Sequence, residues 1–183
     1  MVDPEYTLIK GIADGDREAF ERLVKRYQSP LCNFVFRYLG DRAAAEDIAQ
    51  EVFIRVYRHA SRFSPAARVS TWLFKIARNL SLDEIRRRQR LHLAEAARVD
   101  DWGRVAAASS TAAASYDLER EITDALGKLP ESQRAALLLR VNEGLSYREI
   151  GEVMDLSVAS VESLIFRARQ QLRAAMRGRE DRV

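Results

Sequence analysis

The stretch from Glu46 to Arg90 reads EDIAQEVFIRVYRHASRFSPAARVSTWLFKIARNLSLDEIRRRQR and decides the fold of this chain. An α-helix advances by about 100° per residue, so positions three, four and seven apart share a face. At that spacing the apolar side chains in the first part of the stretch share one side of a helix; they are Ala45, Ile48, Ala49, Val52, Phe53, Val56 and Ala60. The stretch therefore predicts two amphipathic helices, separated by a basic loop that contains Pro65.

The opposite side of the first helix is polar, with one apolar residue in it. We call it the Ile54 stripe, and its members are Asp47, Gln50, Glu51, Ile54 and Arg58. A single exposed isoleucine is common and needs no function. An isoleucine flanked by acids and an amide also suits the docking of a partner helix. Periodicity alone leaves both interpretations open.

The second helix is predicted to begin after Ser70, whose hydroxyl is a typical N-cap. Its buried side holds Leu73, Ile76, Ala77 and Leu80. A neighbouring side, which we call the Trp72 face, combines an indole, an amide and charged groups; it consists of Trp72, Lys75, Asn79, Asp83 and Arg86.

Positive charge is concentrated around the second helix. Between Arg62 and Arg90 there are eight Lys or Arg and two acids, a local charge of +6 in a chain whose net charge is +3. Cations bind phosphates and aromatic rings stack on unpaired bases, so this composition suits single-stranded nucleic acid. The alternative, in which Trp72 and Phe74 are core residues and the arginines are simply solvated, stays open.

Composition predicts an all-α protein. The chain has 183 residues, of which 47% are hydrophobic, and it lacks alternating β-branched runs. Its one cysteine, Cys32, excludes an intramolecular disulfide, and with two distant histidines it offers no zinc cluster, so we expect no metal and no cofactor. We expect Cys32 to be a small core residue. The N-terminus resembles no signal peptide and no segment has the length of a membrane span, so we expect a cytoplasmic protein.

The helical pattern divides the chain into two small domains. Residues 1–95 are predicted to form a four-helix domain, with helices at 16–28 and from Pro30 preceding the two just described. Residues 96–116, rich in Ala and Ser, are predicted to be a flexible linker in which Trp102 is the residue least expected to stay solvated. Residues 117–183 are predicted to form a second helical domain.

The second domain has the layout of a helix-turn-helix. Ser146 and Glu149 spell a capping box before a helix at 147–154, Asp155 lies in the turn, and Ser157 caps a long helix. Its predicted internal core is Ile150, Val153, Leu156, Val161 and Ile165, with Gly151 at the helix crossing. The face presented to duplex DNA, here called the Ser157 face, would consist of Ser157, Ala159, Ser160, Glu162, Ser163, Arg167, Arg169 and Arg173. An ordinary helical hairpin with a basic tail is the competing interpretation.

Five motifs in order give the chain a family resemblance. They are DIAQEVFIRV at 47–56, TWLFKIARN at 71–79, KLPE at 128–131, GLSYREI at 144–150 and FRAR at 166–169. Together they make the chain resemble a bacterial RNA polymerase sigma factor of the extracytoplasmic-function group. The resemblance implies that the first domain corresponds to region 2 and the second to region 4. It covers nearly the whole chain.

The resemblance also implies roles for residues. The Ile54 stripe would face the clamp helices of the largest polymerase subunit, and the second domain would bind the flap of the second-largest subunit and the promoter −35 element. The −10 element would be captured and opened by His59, Ala60, Arg62, Phe63, Arg68, Trp72, Lys75, Asn79 and Arg86. Such proteins are commonly held inactive by an anti-sigma factor, often membrane-anchored. No small-molecule substrate is implied.

Two departures from the family pattern, at three positions, concern the DNA-binding surfaces. Family members often carry a cation where this chain has Glu162 and an arginine where it has Leu164, so −35 recognition is expected to rely more on Arg167 and Arg169. Asp83 lies on the Trp72 face, where a neutral or basic residue would suit DNA better.

A different class of function, a duplex-binding regulator that uses only residues 117–183, would leave the basic, aromatic stretch without a role. An enzyme is not expected, because no catalytic constellation can be identified.

Overall fold

The computed structural model describes residues 5–64, 67–96 and 122–180, and every regular element in these stretches is helical. The elements are α1 (Tyr6–Ala13), α2 (Arg17–Leu39), α3 (Arg42–His59), a 3₁₀ turn (Ala60–Arg62), α4 (Val69–Ala96), α5 (described over 122–127), α6 (Glu131–Val141), α7 (Tyr147–Met154) and α8 (Val158–Glu180). The predicted all-α class is confirmed. The predicted linker and its Trp102 lie outside the described residues.

The first domain holds four helices, but not the four that the sequence predicts. Helix α1 was not predicted, and the predicted break before Pro30 is wrong because α2 runs through it. The apolar stripe of α2 stays in register across the proline, from Leu23 to Tyr38, and burial of that stripe outweighs the one lost backbone hydrogen bond. Asp16 caps the start of α2 through the N–H groups of residues 18 and 19, and Gly40, in the left-handed region at φ 73°, ends it.

Helices α2, α3 and α4 pack around an aromatic centre. The ring of Phe34 stacks on Tyr38 at 5.7 Å and meets Phe74 edge-on at 5.5 Å. Phe74 is therefore a core residue, whereas Trp72 is only half-buried. Helix α4 begins at Val69 rather than after the predicted cap Ser70, since the Trp72 N–H already bonds the Arg68 carbonyl at 3.1 Å and Val69 is buried.

The second domain is a helix-turn-helix, as its capping signals predict. The Ser146 hydroxyl accepts from the Glu149 N–H, and the Glu149 carboxylate accepts from the Ser146 N–H, which completes the capping box of α7. Asp155 occupies the left-handed region at φ 56° and turns the chain into α8. A Cβ on Gly151 would lie 2.6 Å from the Leu156 carbonyl oxygen, so only glycine allows this crossing.

One residue that was predicted to lie in the core of this domain is exposed. Leu156 is 39% exposed, because the turn directs its carbonyl rather than its side chain towards α7. The other predicted members, Ile150, Val153, Val161 and Ile165, are buried. The inner face of α6 completes this core with Ala135, Leu138 and Leu139.

The two domains pack against each other in one continuous core, with α4 against α7 and α2 against α6. The Arg134 guanidinium on α6 donates to the Tyr38 carbonyl at 2.7 Å and lies over the Tyr38 ring at 5.7 Å. The Tyr38 hydroxyl donates to the Glu131 carboxylate. Within the described ranges, none of the helices is long and apolar enough to cross a membrane.

Candidate protein and nucleic-acid interfaces

The Ile54 stripe lies on the outside of α3. The side chains of Asp47, Gln50 and Arg58 are exposed, and Ile54 is 43% exposed. Glu51 is partly exposed and accepts from Arg55 at 2.8 Å along the same helix. The stripe therefore presents two carboxylates, an amide and an apolar side chain on a rigid helix, which is an arrangement suited to docking a helical partner.

An exposed aromatic ring extends this stripe. Tyr57 follows Ile54 by three residues and is 58% exposed, although its ring meets Phe20 of α2 edge-on at 5.5 Å. Sequence analysis missed it, yet the i, i+3 spacing from Ile54 could have found it. Large exposed aromatic residues are enriched where proteins bind each other, so Tyr57 widens the apolar part of the candidate interface.

The aromatic part of the predicted −10 surface is preformed. Phe63, just after the 3₁₀ turn, packs on the Trp72 ring with centroids 4.9 Å apart, and Tyr6 of α1 supports Phe63 from behind at 6.3 Å. Both Phe63 and Trp72 remain half-buried, so their rings keep free area. The prediction that Ala60 belongs to the −10 surface is wrong, because its side chain is only 4% exposed and lies in the core.

Two cations of the predicted −10 set bind acids of the second domain. The Lys75 ammonium is 2.6 Å from Asp155 Oδ1, and the Arg68 guanidinium is 2.8 Å from Glu149 Oε1. Asn79, His59 and Arg62 are exposed. The Trp72 face is thus open at Asn79 and contacted by the second domain at Lys75, which periodicity could not distinguish.

The far end of α4 is rich in ion pairs. The Arg86 guanidinium lies 3.6 Å from the Asp83 carboxylate. Asp83, the acid on the Trp72 face, therefore partly neutralises the charge of Arg86. Arg87 and Arg88 both donate hydrogen bonds to Glu84. These bonds lower the pKa of Glu84 to about 2, and the bond from Arg87 has the larger effect. Arg88 also reaches Asp41, the cap of α3, at 2.8 Å. Arg88 therefore ties α4 to the start of α3.

Glu149 is the most buried acid between the two domains, at 6% exposure. Burial raises the pKa of its carboxyl group, but hydrogen bonds from Ser146 and the charge of Arg68 outweigh burial, so the net pKa lies below its ordinary value. The carboxylate is therefore ionised at neutral pH and serves two partners. Its Oε2 atom accepts from Ser146, and its Oε1 atom binds Arg68.

The Ser157 face is exposed along its described length. Its members Ser157, Ala159, Ser160, Glu162, Ser163, Arg167, Arg169 and Arg173 all lie outside the core. Ser157 accepts from the Ser160 N–H at 3.2 Å and so caps α8 as predicted. Leu164 is half-buried against the core. The ring of Phe166 is 61% exposed and adds an apolar group beside these cations.

Two family models match the chain, one in each domain. The Sigma-70 region 2 model matches residues 23–91, and the Sigma-70 region 4 model matches residues 119–172. The matches span both domains, so they give no support to a regulator that uses the second domain alone. The first range contains all of α3 and most of α4, and the second contains most of α8, so the helices that carry the candidate surfaces lie within the matched ranges.

Curated relatives match over nearly their full length. The chain is 34% identical to the ECF RNA polymerase sigma factor SigW of Bacillus subtilis over 177 residues, covering 92% of this chain and 95% of that one. It is 36% identical to the ECF RNA polymerase sigma-E factor of Haemophilus influenzae over 176 residues, covering 92% and 93% of the two chains.

Solved structures share the arrangement of the helices. CnrH in complex with the cytosolic domain of CnrY matches with a TM-score of 0.73 and 27% identity, covering 96% of this chain and 99% of that one. The sigma factor RpoE of Bartonella quintana, solved with the anti-sigma factor NepR, matches with a TM-score of 0.70 and 21% identity, covering 86% of this chain and 96% of that one. At 21% identity the second likeness supports the fold alone.

Proposed function

Because this chain belongs to the extracytoplasmic-function group of the sigma-70 family of RNA polymerase sigma factors, we propose a role for each of its three exposed surfaces in transcription initiation. As a sigma factor it associates with core RNA polymerase and directs it to promoter DNA. We place it in the cytoplasm and assign it no catalytic activity of its own. The domains we assign are 1–95 for region 2, 96–116 for the connection and 117–183 for region 4.

The Ile54 stripe is the proposed polymerase surface. The observation that carries this assignment is that Asp47, Gln50 and Ile54 are all exposed on one side of α3, while the other side is buried in the core. A coiled-coil partner such as the clamp helices of the largest subunit would meet the carboxylates at its basic positions and Ile54 at an apolar one. Tyr57 joins this surface in our proposal.

The Trp72 face is the proposed −10 surface. A base displaced from the duplex would lie near the Phe63–Trp72 pair, since aromatic rings offset part of the energy of unstacking. Arg62, Arg68 and Lys75 would bind the strand's phosphates. His59, Asn79 and Arg86 complete the proposed set, and Ala60 is omitted.

The Ser157 face is the proposed −35 surface. The first residues of α8, beginning at Ser157, would approach base edges in the major groove, where Glu162 could accept from a cytosine amino group. Arg167, Arg169 and Arg173 would bind phosphates. Exposed apolar groups of the second domain, including Phe166, are the proposed contacts for the flap of the second-largest subunit.

We further propose that an anti-sigma factor controls this chain. The support is the likeness to CnrH, which was solved with the cytosolic domain of CnrY. Such a partner, membrane-anchored or free, would need to cover the Ile54 stripe in order to exclude polymerase. Co-purification of the chain with a protein that prevents core polymerase binding would identify it.

The polymerase assignment is tested with Ile54→Asp. A carboxylate at the centre of the stripe would be desolvated against an apolar contact, so we expect binding to core RNA polymerase to weaken by a factor of 100 or more, on the order of 3 kcal/mol. The measurement is a titration of labelled chain with purified core enzyme.

The matched control is Leu93→Asp, which places the same charge on a leucine of α4 that is even more exposed. We expect this control to bind core polymerase as the natural chain does. Full affinity of the Ile54→Asp variant would refute the assignment of the stripe.

A further inference from the structure

We propose that Tyr6 of α1 is a positioning residue for the capture of a displaced base, because it holds the Phe63 ring in the orientation that pairs with Trp72. This inference rests on the proposed role of the Phe63–Trp72 pair in binding a base of the −10 strand. It gives a function to α1, which lies outside the range 23–91 that the Sigma-70 region 2 model matches.

Phe63 lies where the chain leaves helical geometry. The 3₁₀ turn at residues 60–62 ends there, and the Phe63 backbone is extended, with φ −67° and ψ 129°. In a helix, side chains three and four positions away would pack beside the ring. Because Phe63 has no such neighbours, contacts with other elements determine where its ring lies.

The Phe63 ring contacts two other aromatic rings. The centroid of Trp72 on α4 is 4.9 Å away, and that of Tyr6 on α1 is 6.3 Å away. Both distances lie in the range of about 4.5–7 Å in which aromatic rings attract each other beyond the effect of buried area. Without Tyr6, Trp72 would be the only aromatic ring in contact with Phe63 among the residues that the structure describes.

Helix α1 is fixed at both ends, so Tyr6 is a rigid support. At its start, the Tyr27 hydroxyl of α2 donates to the carboxylate of Glu5, the residue directly before Tyr6. At its end, the Asp16 N–H bonds the Gly11 carbonyl at 2.8 Å. Between these ends the apolar side of α1 is buried in the core. The Tyr6 ring is therefore held from the body of the first domain.

A ring that is already held in place binds a base more tightly. Ordering a free side chain during binding would cost part of the binding free energy. Phe63 and Trp72 are half-buried, so part of each ring stays open to a base. Tyr6 acts through Phe63 and carries no positive charge. Its loss should therefore weaken the binding of bases and leave the binding of phosphates unchanged.

The test uses three variants of the full chain. Tyr6→Leu removes the ring and keeps an apolar side chain, whereas Tyr6→Phe keeps the ring and removes only the hydroxyl. The matched control is Ile12→Val, which loosens the other end of α1 by removing one methylene from a buried side chain. The reference and all variants carry Trp102→Phe, which leaves Trp72 as the only tryptophan.

The first measurement is the quenching of Trp72 fluorescence by acrylamide. We expect Tyr6→Leu to raise the quenching constant about twofold, because the ring contact that holds Phe63 beside the indole is lost. We expect Tyr6→Phe and Ile12→Val to match the reference. Equal quenching constants in all four proteins would overturn the link between α1 and Trp72.

The second measurement is the affinity of each chain for two fluorescein-labelled strands of equal length. One is oligo(dT), and the other carries abasic sites on the same phosphates. We expect Tyr6→Leu to weaken oligo(dT) binding about threefold, the size expected for loss of one aromatic contact, with no change for the abasic strand. Tyr6→Phe should restore full affinity. An equal loss for both strands, or no loss for oligo(dT), would contradict the positioning role.

Phe63→Ala separates failure of this inference from failure of the proposed function. Since base stacking on an aromatic ring is sizeable, we expect this variant to weaken oligo(dT) binding about tenfold and abasic binding not at all. A loss in Phe63→Ala without a loss in Tyr6→Leu would refute the role of Tyr6 alone. No loss in either variant would overturn both that role and the proposed stacking of bases on the Phe63–Trp72 pair.

Discussion

The outer faces of α3 and α4 differ in what covers them. Both are polar sides of amphipathic helices, and both follow from the same 100° periodicity. The Ile54 stripe meets solvent, whereas Lys75 of the Trp72 face and the nearby Arg68 meet carboxylates of the second domain. Amphipathicity therefore identifies which side of a helix leaves the local core, and says nothing about whether another domain returns to cover it.

This difference predicts opposite consequences for mutation. Changes on the Ile54 stripe should alter binding to a partner and leave the free chain unaffected. Changes at the contact between α4 and α7 should alter the stability of the free chain, because both sides of that contact belong to the chain itself. The following experiments separate these two behaviours, in order of expected effect.

Gly151→Ala should have the largest effect on stability. The added Cβ would lie 2.6 Å from the Leu156 carbonyl oxygen, and a backbone atom cannot move aside cheaply. We expect a loss of about 2–3 kcal/mol in the free energy of unfolding, measured by urea denaturation. Gly127→Ala is the control, since nothing lies within 4 Å of its Cβ position; it should be neutral or slightly stabilising.

The same Gly151→Ala variant tests the contact with α4. A displaced turn would carry Asp155 away from Lys75, so acetylation of Lys75 should become faster than in the Gly127→Ala control. A rate as slow as in the natural chain, together with lowered stability, would show that the ion pair does not depend on the turn.

A double-mutant cycle on Tyr38 and Glu131 should show the next largest effect. Tyr38→Phe removes the hydroxyl that donates to the carboxylate, and we expect it to lower the free energy of unfolding by about 1 kcal/mol. In the Glu131→Gln background the same change should have a smaller effect, because the two groups interact directly. Strictly additive effects would mean that the domains do not meet at this point.

Acid should weaken the contact between the domains by a smaller amount. Because hydrogen bonds and Arg68 hold the pKa of Glu149 below its ordinary value near 4.5, its contribution to stability is present above that value. It is lost as pH falls through the lowered pKa of the folded state. The urea midpoint should therefore depend less on pH between about pH 5 and pH 3 in Glu149→Gln than in the natural chain. Identical pH profiles would contradict this assignment.

Ile54→Ala should have the smallest effect on the free chain. Its side chain is 43% exposed and lies outside the core, so we expect the free energy of unfolding to change by less than about 0.5 kcal/mol. Thermal unfolding measures this directly. A loss approaching that of Gly151→Ala would mean that the stripe is covered within the chain, and the contrast between the two helices would disappear.

Local signals in the sequence predicted much of the fold. The capping box at Ser146 and Glu149, the crossing at Gly151 and the core stripes of α3 and α8 depend on neighbours a few residues away, and periodicity captures such patterns. The predicted break at Pro30 is wrong because burial along α2 outweighs a local helix-breaking preference. The prediction that Leu156 is a core residue is wrong because the direction of a side chain in a turn depends on the path of the backbone.

Contacts between residues far apart in the sequence could not be predicted from such local signals. Nothing near Asp155 in the sequence indicates that its partner is Lys75, eighty residues earlier. The role of Tyr38, whose ring and hydroxyl join the two domains, is equally hidden, because a tyrosine at that position also fits an ordinary core. Most exposed residues of the candidate surfaces could be predicted, with the exceptions of Tyr57 and Phe166, but their intramolecular partners could not.

The divided use of the Glu149 carboxylate determines what happens to α7 when the domains part. One oxygen bonds Ser146 of the same domain, and the other bonds Arg68 of the first domain. Separation of the domains would therefore break the contact with Arg68 and leave the capped start of α7 in place. Promoter search would then begin with an intact DNA-binding module and require no refolding step.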